Sequence, residues 1–184
     1  MNRNDENIRL FIAINFDEAI KDVVYDISKR LKAYCKKGSF TYRENLHLTI
    51  VFIGEVAVHR VDAIKAVMDR VTSEPFTLKL KGIGCFKRRG GDIYWIGIEE
   101  NPDLIRIYTQ LYEGLTKIGF AIEKREYKPH LTLARRVVVK NDFNKSQFSE
   151  SILPVKMTVD DIALMKSERI EGKLTYTQIY KKDL

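Results

Sequence analysis

Two copies of one tripeptide, His47-Leu48-Thr49 and His130-Leu131-Thr132, hold the residues in this chain best suited to chemistry. Each copy sits in an apolar run that reads as a β-strand, where side chains two residues apart leave from the same face. The histidine and the hydroxyl then point one way, and Leu48 and Leu131 point the other. Imidazole gives and takes protons near neutral pH. Two facing histidines can therefore act together as general base and general acid, each contributing typically ~10²–10⁴ in rate. The reaction best served is in-line displacement at phosphorus, where attacking and leaving oxygens lie on opposite sides. Thr49 and Thr132 can donate to the non-bridging oxygens that hold the charge. Arg135 offers a guanidinium that matches phosphate geometry.

Other residue patterns carry less. The third histidine, His59, begins an expected helix and reads as exposed. His47, His130 and His59 show no His-x-x-x-His, cysteine pair or acidic residue at ligand spacing, so no metal and no cofactor are expected. Gly82-x-Gly84 lacks a strand-to-helix context and is not a nucleotide fingerprint. Lys87-Arg88-Arg89 could steer RNA, although cations at a hairpin tip are usually just solvated.

The elements that have to position the two motifs follow from periodicity. Ile8 to Phe16 alternates as a strand, with Arg9, Phe11, Ala13 and Asn15 on its mixed face. Asp17 caps a helix expected to run to about Lys36. The first motif strand covers Leu46 to Gly54, a helix covers about His59 to Thr72, and Phe76 to Phe86 is extended. Lys87 to Gly91 reads as a turn before a strand from Ile93 to Glu99. Asn101-Pro102 starts a helix closed by Gly119. The second motif strand runs from His130 to about Val137. A weaker helix around Phe143 to Phe148 and strands over Val155 to Lys166 and Leu174 to Tyr180 complete the chain.

The order strand, helix, motif strand, helix, strand thus occurs twice, at nearly constant offset. This implies an α+β fold of two pseudo-symmetric lobes. Each would be an antiparallel-rich sheet with outer helices, and the motif strands would line a central cleft. The whole of 1–184 would form one bilobal domain with pseudo-repeat halves of about 8–86 and 92–181.

The chain has 184 residues, 45% of them hydrophobic, enough to bury one sizeable core. Apolar runs are broken well short of a membrane span, and Met1 to Asp5 has no apolar signal region, so a cytoplasmic protein without membrane association is expected. Cys35 and Cys85 read as reduced packing residues. The formal net charge of +7 favours anionic partners such as RNA.

Taken in order, these residues resemble the two-histidine phosphoesterase superfamily. The similarity is greatest to its bacterial and archaeal RNA 2′,3′-cyclic phosphodiesterase branch, also described as 2′-5′ RNA ligase-like. The matching segments are Arg9 to Ile14, Glu44 to Ile50 with Phe52, Gly54 and Glu55, Gly82-x-Gly84-x-Phe86, Trp95-x-Gly97, and Tyr127 to Arg135. Leu164 and Tyr176 in the terminal strands also fit. The resemblance implies that His130 activates water for attack on a 2′,3′-cyclic phosphate and that His47 protonates the departing 3′ oxygen, leaving a 2′-phosphomonoester. It also implies phosphoryl binding by Thr49, Thr132 and Arg135, base contact by Phe86 or Tyr127, no metal, and a monomer acting on RNA ends. Two positions depart from the family pattern. Arg43 stands where a Pro is frequent, and Lys87 to Gly91 replaces a Pro-containing loop; both bear on cleft shape and substrate preference.

Two other readings remain open from the residues. One is a further activity of the same superfamily, on a 2′-5′ linkage or a small cyclic nucleotide, with slow 2′-5′ ligation as the reverse reaction. The other is a non-catalytic module that grips RNA ends through the same motifs.

Overall fold

The structure, a computed structural model, describes residues 6–124 and 126–184. The chain runs β1 (Asn7–Asn15), α1 (Glu18–Ala33), β2 (Cys35–Phe40), β3 (His47–Ala57), α2 (Val61–Asp69), β4 (Phe76–Phe86) and β5 (Asp92–Ile98). It continues through α3 (Pro102–Lys117), β6 (His130–Val139), α4 (Lys145–Glu150), β7 (Val155–Val159), β8 (Asp161–Ile170) and β9 (Lys173–Asp183). The strands form two sheets with neighbours in the order β3-β1-β8-β9 and β2-β6-β5-β4-β7, and the pairings are antiparallel. This is the α+β, two-sheet architecture that the sequence implies.

Each sheet draws strands from both 8–86 and 92–181. β4 leaves the first segment to pair with β5, while β8 returns from the second to pair with β1. Leu10, Ile12 and Ile14 of β1, Leu48 of β3, Ile96 of β5 and Leu131 and Leu133 of β6 all enter one core. The stripes of α1 (Val24, Ile27, Leu31) and α3 (Leu104, Ile107, Leu111, Leu115) join it. Asp17 and Asn101 cap these two helices, accepting from the amides of Ile20 and Leu104.

A smaller apolar cluster lies apart from this core: Phe11, Ala13, Ala163 and Met165, with Tyr176 packed on it.

Three boundaries differ from the periodicity. α1 stops at Ala33, because Cys35 to Phe40 pairs with β6 instead of continuing the helix. Nothing in Cys-Lys-Lys-Gly-Ser-Phe alternates; cross-strand pairing overrides local preference there. Lys36 and Lys37 then give this edge strand the charge that discourages further pairing. The run Val155 to Lys166 is two strands rather than one, since the chain passes from one sheet to the other at Asp160, whose carbonyl accepts from Leu184. His59 lies exposed in a single 3-10 turn ahead of α2.

Candidate active site

β3 and β6 approach each other directly, and the faces carrying the motifs line a cleft of about 820 Å³. His47, Thr49, His130, Thr132 and Arg135 all border it. In β3, Leu48 is fully buried while His47 and Thr49 are half-buried, as alternation dictates. β6 repeats this with Leu131 between His130 and Thr132.

Each histidine is fixed in the same manner. Nδ1 of His47 donates to the carbonyl of Asn45, and Nδ1 of His130 to that of Lys128, both at 2.7 Å. A carbonyl can only accept, so the proton sits on Nδ1 and Nε2 is left as the nitrogen that titrates. Nε2 of His47 lies 2.8 Å from Oγ1 of Thr49. The neutral ring accepts from that hydroxyl, and the protonated ring donates to it.

The carbonyl that orients His47 is itself held. Asn45 is buried, and its side-chain amide donates to the carbonyl of Leu174 in β9 at 2.8 Å. Arg43 occupies the same short turn and is clamped to α1, pairing with Asp22 and Glu18, both at 2.6 Å. Arg43 thus fixes the approach to β3, replacing the stiffness a proline would supply with two ion pairs.

The walls around the two rings differ. Phe11 stands 4.9 Å from His47 between ring centres, and Tyr176 meets it edge-on at 5.1 Å. Burial among these groups pushes His47 down to about 4, with the positive charges of Arg135 and His130 acting in the same direction and the Asn45 hydrogen bond opposing them. His130 is instead met edge-on by Phe86 at 5.0 Å, with Trp95 at 6.0 Å. The indole lies across Gly84, where a Cβ would come within 2.1 Å of the ring. That close approach is the physical use of the Gly-x-Gly segment.

Arg135 reaches the cleft against simple alternation, which would send it inward with Leu131 and Leu133. The register of β6 against β5 slips by one residue between Thr132 and Ala134, so that Leu133 and Ala134 are both buried, and slips again between Ala134 and Val137, where Arg136 takes a left-handed φ of 54°. Such a bulge re-aims the side chain beside it. The Lys87–Gly91 turn packs on this kink: a Cβ on Gly91 (φ 131°) would lie 2.6 Å from the Arg136 backbone. Arg135 has no ion-pair partner among the described residues, so its charge stays available in the cleft. Lys87, by contrast, is paired with Asp92 at 2.7 Å.

Tyr127 does not border the cleft. Its hydroxyl donates to the Thr49 carbonyl at 3.1 Å, and its ring stacks on Tyr108 of α3 at 4.2 Å. Burial pushes its phenol well above the usual range. It ties the approach to β6 onto β3. Arg9, Phe11, Phe52, Lys166, Arg169 and Tyr176 also border the cleft, although the motifs alone assign them no place there. The mixed face of β1, which carries Arg9 and Phe11, was the available signal. Among the described residues no group of three or more His, Cys, Asp or Glu side chains gathers as metal ligands, and no helix is long and apolar enough to cross a membrane.

Fold and site together define a two-sheet α+β protein whose paired His-x-Thr strands share one cleft. The chain belongs to the 2′-5′ RNA ligase superfamily, whose family model matches residues 17–171. It is similar to an RNA 2′,3′-cyclic phosphodiesterase of Archaeoglobus fulgidus, with 35% identity over 165 residues, 87% of this chain and 91% of the relative. A protein described by the same words from Methanothermobacter thermautotrophicus is 31% identical over 181 residues, covering 94% of this chain and 96% of its own. Among solved structures, Escherichia coli LigT in apo form superposes with a TM-score of 0.77 at 22% identity, covering 97% of this chain and 98% of that one.

Proposed function

We propose that this protein hydrolyses RNA 2′,3′-cyclic phosphate ends to 2′-phosphomonoesters by paired-histidine acid–base catalysis, without a metal ion. The observation that carries the reading is the pair of Nδ1-anchored histidines bordering one cleft with Thr49, Thr132 and Arg135, which has no ion-pair partner among the described residues. The relatives described as RNA 2′,3′-cyclic phosphodiesterases support the substrate. His130 takes the proton from water as its oxygen attacks phosphorus. The P–O3′ bond breaks, and His47 delivers a proton to the leaving oxygen. The two hydroxyls and the guanidinium hold the non-bridging oxygens.

Burial sets a condition on these roles. With a value of about 4, His47 is neutral at pH 7, and the negative charge of a bound phosphate raises its proton affinity so that it can serve as the acid. Phosphate binding at neutral pH is then accompanied by proton uptake, which calorimetry in buffers of different ionisation enthalpy reads directly. The same burial favours a second reading with the two roles exchanged. An aryl phosphodiester, whose leaving group needs no proton, separates them. The histidine whose loss is largely rescued by that substrate is the acid.

The spatial order β3-β1-β8 in one sheet corresponds to β6-β5-β4 in the other, with the third strand exchanged. This supports the proposal of a duplicated unit within one domain. We also propose that the protein works as a cytoplasmic monomer.

The decisive test is incubation with a short RNA ending in 2′,3′-cyclic phosphate, in chelator, with identification of the product isomer. A 2′-phosphate that disappears in His47→Ala and His130→Ala is expected. RNA binding without turnover would replace the enzyme reading with that of an RNA-end binding module, and loss of activity in chelator would overturn metal independence.

A further inference from the structure

The cleft does not end at the two histidines. It continues over the first sheet, along β1 from Phe11 to Arg9 and across to Phe52, Lys166 and Arg169. Phe11 and Tyr176 border its inner part, and Phe11 belongs to the small apolar cluster with Ala13, Ala163 and Met165, against which Tyr176 packs. This cluster is separate from the main core and adjoins the His47 ring through Phe11.

Two residues further along β1, roughly 7 Å by strand rise, the Arg9 guanidinium lies 4.9 Å over the Phe52 ring. Phe52 is 48% exposed, so its ring is accessible from the cleft. Glu55 stands 3.7 Å from Arg9, with both side chains more than half exposed.

Two of the cations here face carboxylates: Arg9 has Glu55 at 3.7 Å, and Lys166 pairs with Glu168 at 2.8 Å. Arg169 donates to the carbonyl of Gly172 at 2.7 Å and keeps its charge. Arg135 is the cation on the motif strand beside the histidines. What the outer cleft offers is flat surface: an aromatic ring and a guanidinium plane. Nucleobases unstacked from a single strand bind such surfaces through their faces, whatever their sequence.

We infer that the Arg9–Phe52 platform is a stacking subsite for the nucleotide that precedes the cyclic end, so that the enzyme selects single-stranded oligonucleotides over mononucleotides. This rests on the reading of the protein as a cyclic phosphodiesterase and adds to it a site for the polymer. The base is held by its face, while the cyclic phosphate sits at the histidines.

The test compares kcat/KM for a mononucleoside 2′,3′-cyclic phosphate with that for a tetranucleotide ending in the same nucleoside. The tetranucleotide is expected to be preferred. In Phe52→Ala that preference falls about tenfold, through KM, as loss of one stacked base implies. Phe52→Leu, which keeps apolar bulk but not the flat ring, shows most of the same loss and guards against a folding defect. Part of the preference persists in high salt, because stacking carries that part and charge the rest.

An unchanged substrate ratio in both variants would overturn the subsite, as would a preference abolished by salt. Failure of the wild type on both substrates would instead overturn the catalytic reading. The subsite would then stand or fall on whether Phe52→Ala weakens binding of a fluorescent tetranucleotide.

Discussion

The two halves of the cleft carry the same motif but hold it in different surroundings. His47 sits among Phe11 and Tyr176 with Nε2 against Thr49, and burial keeps it neutral. His130 is braced by Phe86 and belongs to the strand whose bulge turns Arg135 into the cleft. A repeated tripeptide therefore does not make two equal groups. Proton affinity is set by what surrounds a ring, and burial beside Phe11 and Tyr176 lowers that of His47.

The strongest way to break this comparison is to remove each histidine in turn. His47→Ala and His130→Ala are each expected to lower kcat by ~10²–10⁴, measured on a cyclic-phosphate RNA end. If the halves differ as described, the aryl ester rescues one variant far better than the other. Equal rescue would mean that the surroundings do not separate the roles.

Acid stability tests the first half alone. A folded value of about 4 against about 6.5 in the unfolded chain means that the native state binds fewer protons between those limits. The contribution of neutral His47 is fully present above pH 6.5 and is lost as pH falls toward 4. That amounts to about 3 kcal/mol. Denaturant titrations at pH 7 and pH 4 are expected to show this loss in the wild type and a correspondingly smaller one in His47→Gln.

The second half is tested at its bulge. Gly91→Val drives a side chain into the Arg136 backbone at a position with φ of 131°. The expected cost is ~1–3 kcal/mol of stability, together with a rise in KM as Arg135 shifts. If Gly91 acts on activity through Arg135, the KM effect vanishes in an Arg135→Ala background while the stability loss remains. Tyr127→Phe is the mildest change. It removes one hydrogen bond to the Thr49 carbonyl and is expected to cost about 1 kcal/mol, detectable as a lowered Tm with kcat changed little.

Much of this was legible in the residues because it follows from local rules. The period of two in β3 and β6 put each histidine and threonine on one face, and the capping residues Asp17 and Asn101 marked α1 and α3. β2 was not legible, since Cys35 to Phe40 is a strand only because β6 offers an edge to pair with. The family resemblance offered Tyr127, with Phe86, as a base contact, and nothing in the spacing showed what Tyr127 touches. Its hydrogen bond to Thr49 joins residues far apart in the chain, which no spacing announces.

The sequence by itself determined which groups could move protons and bind phosphate, because side-chain type and strand periodicity are local properties. The tertiary structure decided how those groups differ. The exchange of β4 and β8 between sheets, the bulge that turns Arg135 outward and the apolar wall that lowers His47 all depend on distant contacts. Desolvation and register are properties of the assembled sheets, so they come into being only when the chain has folded.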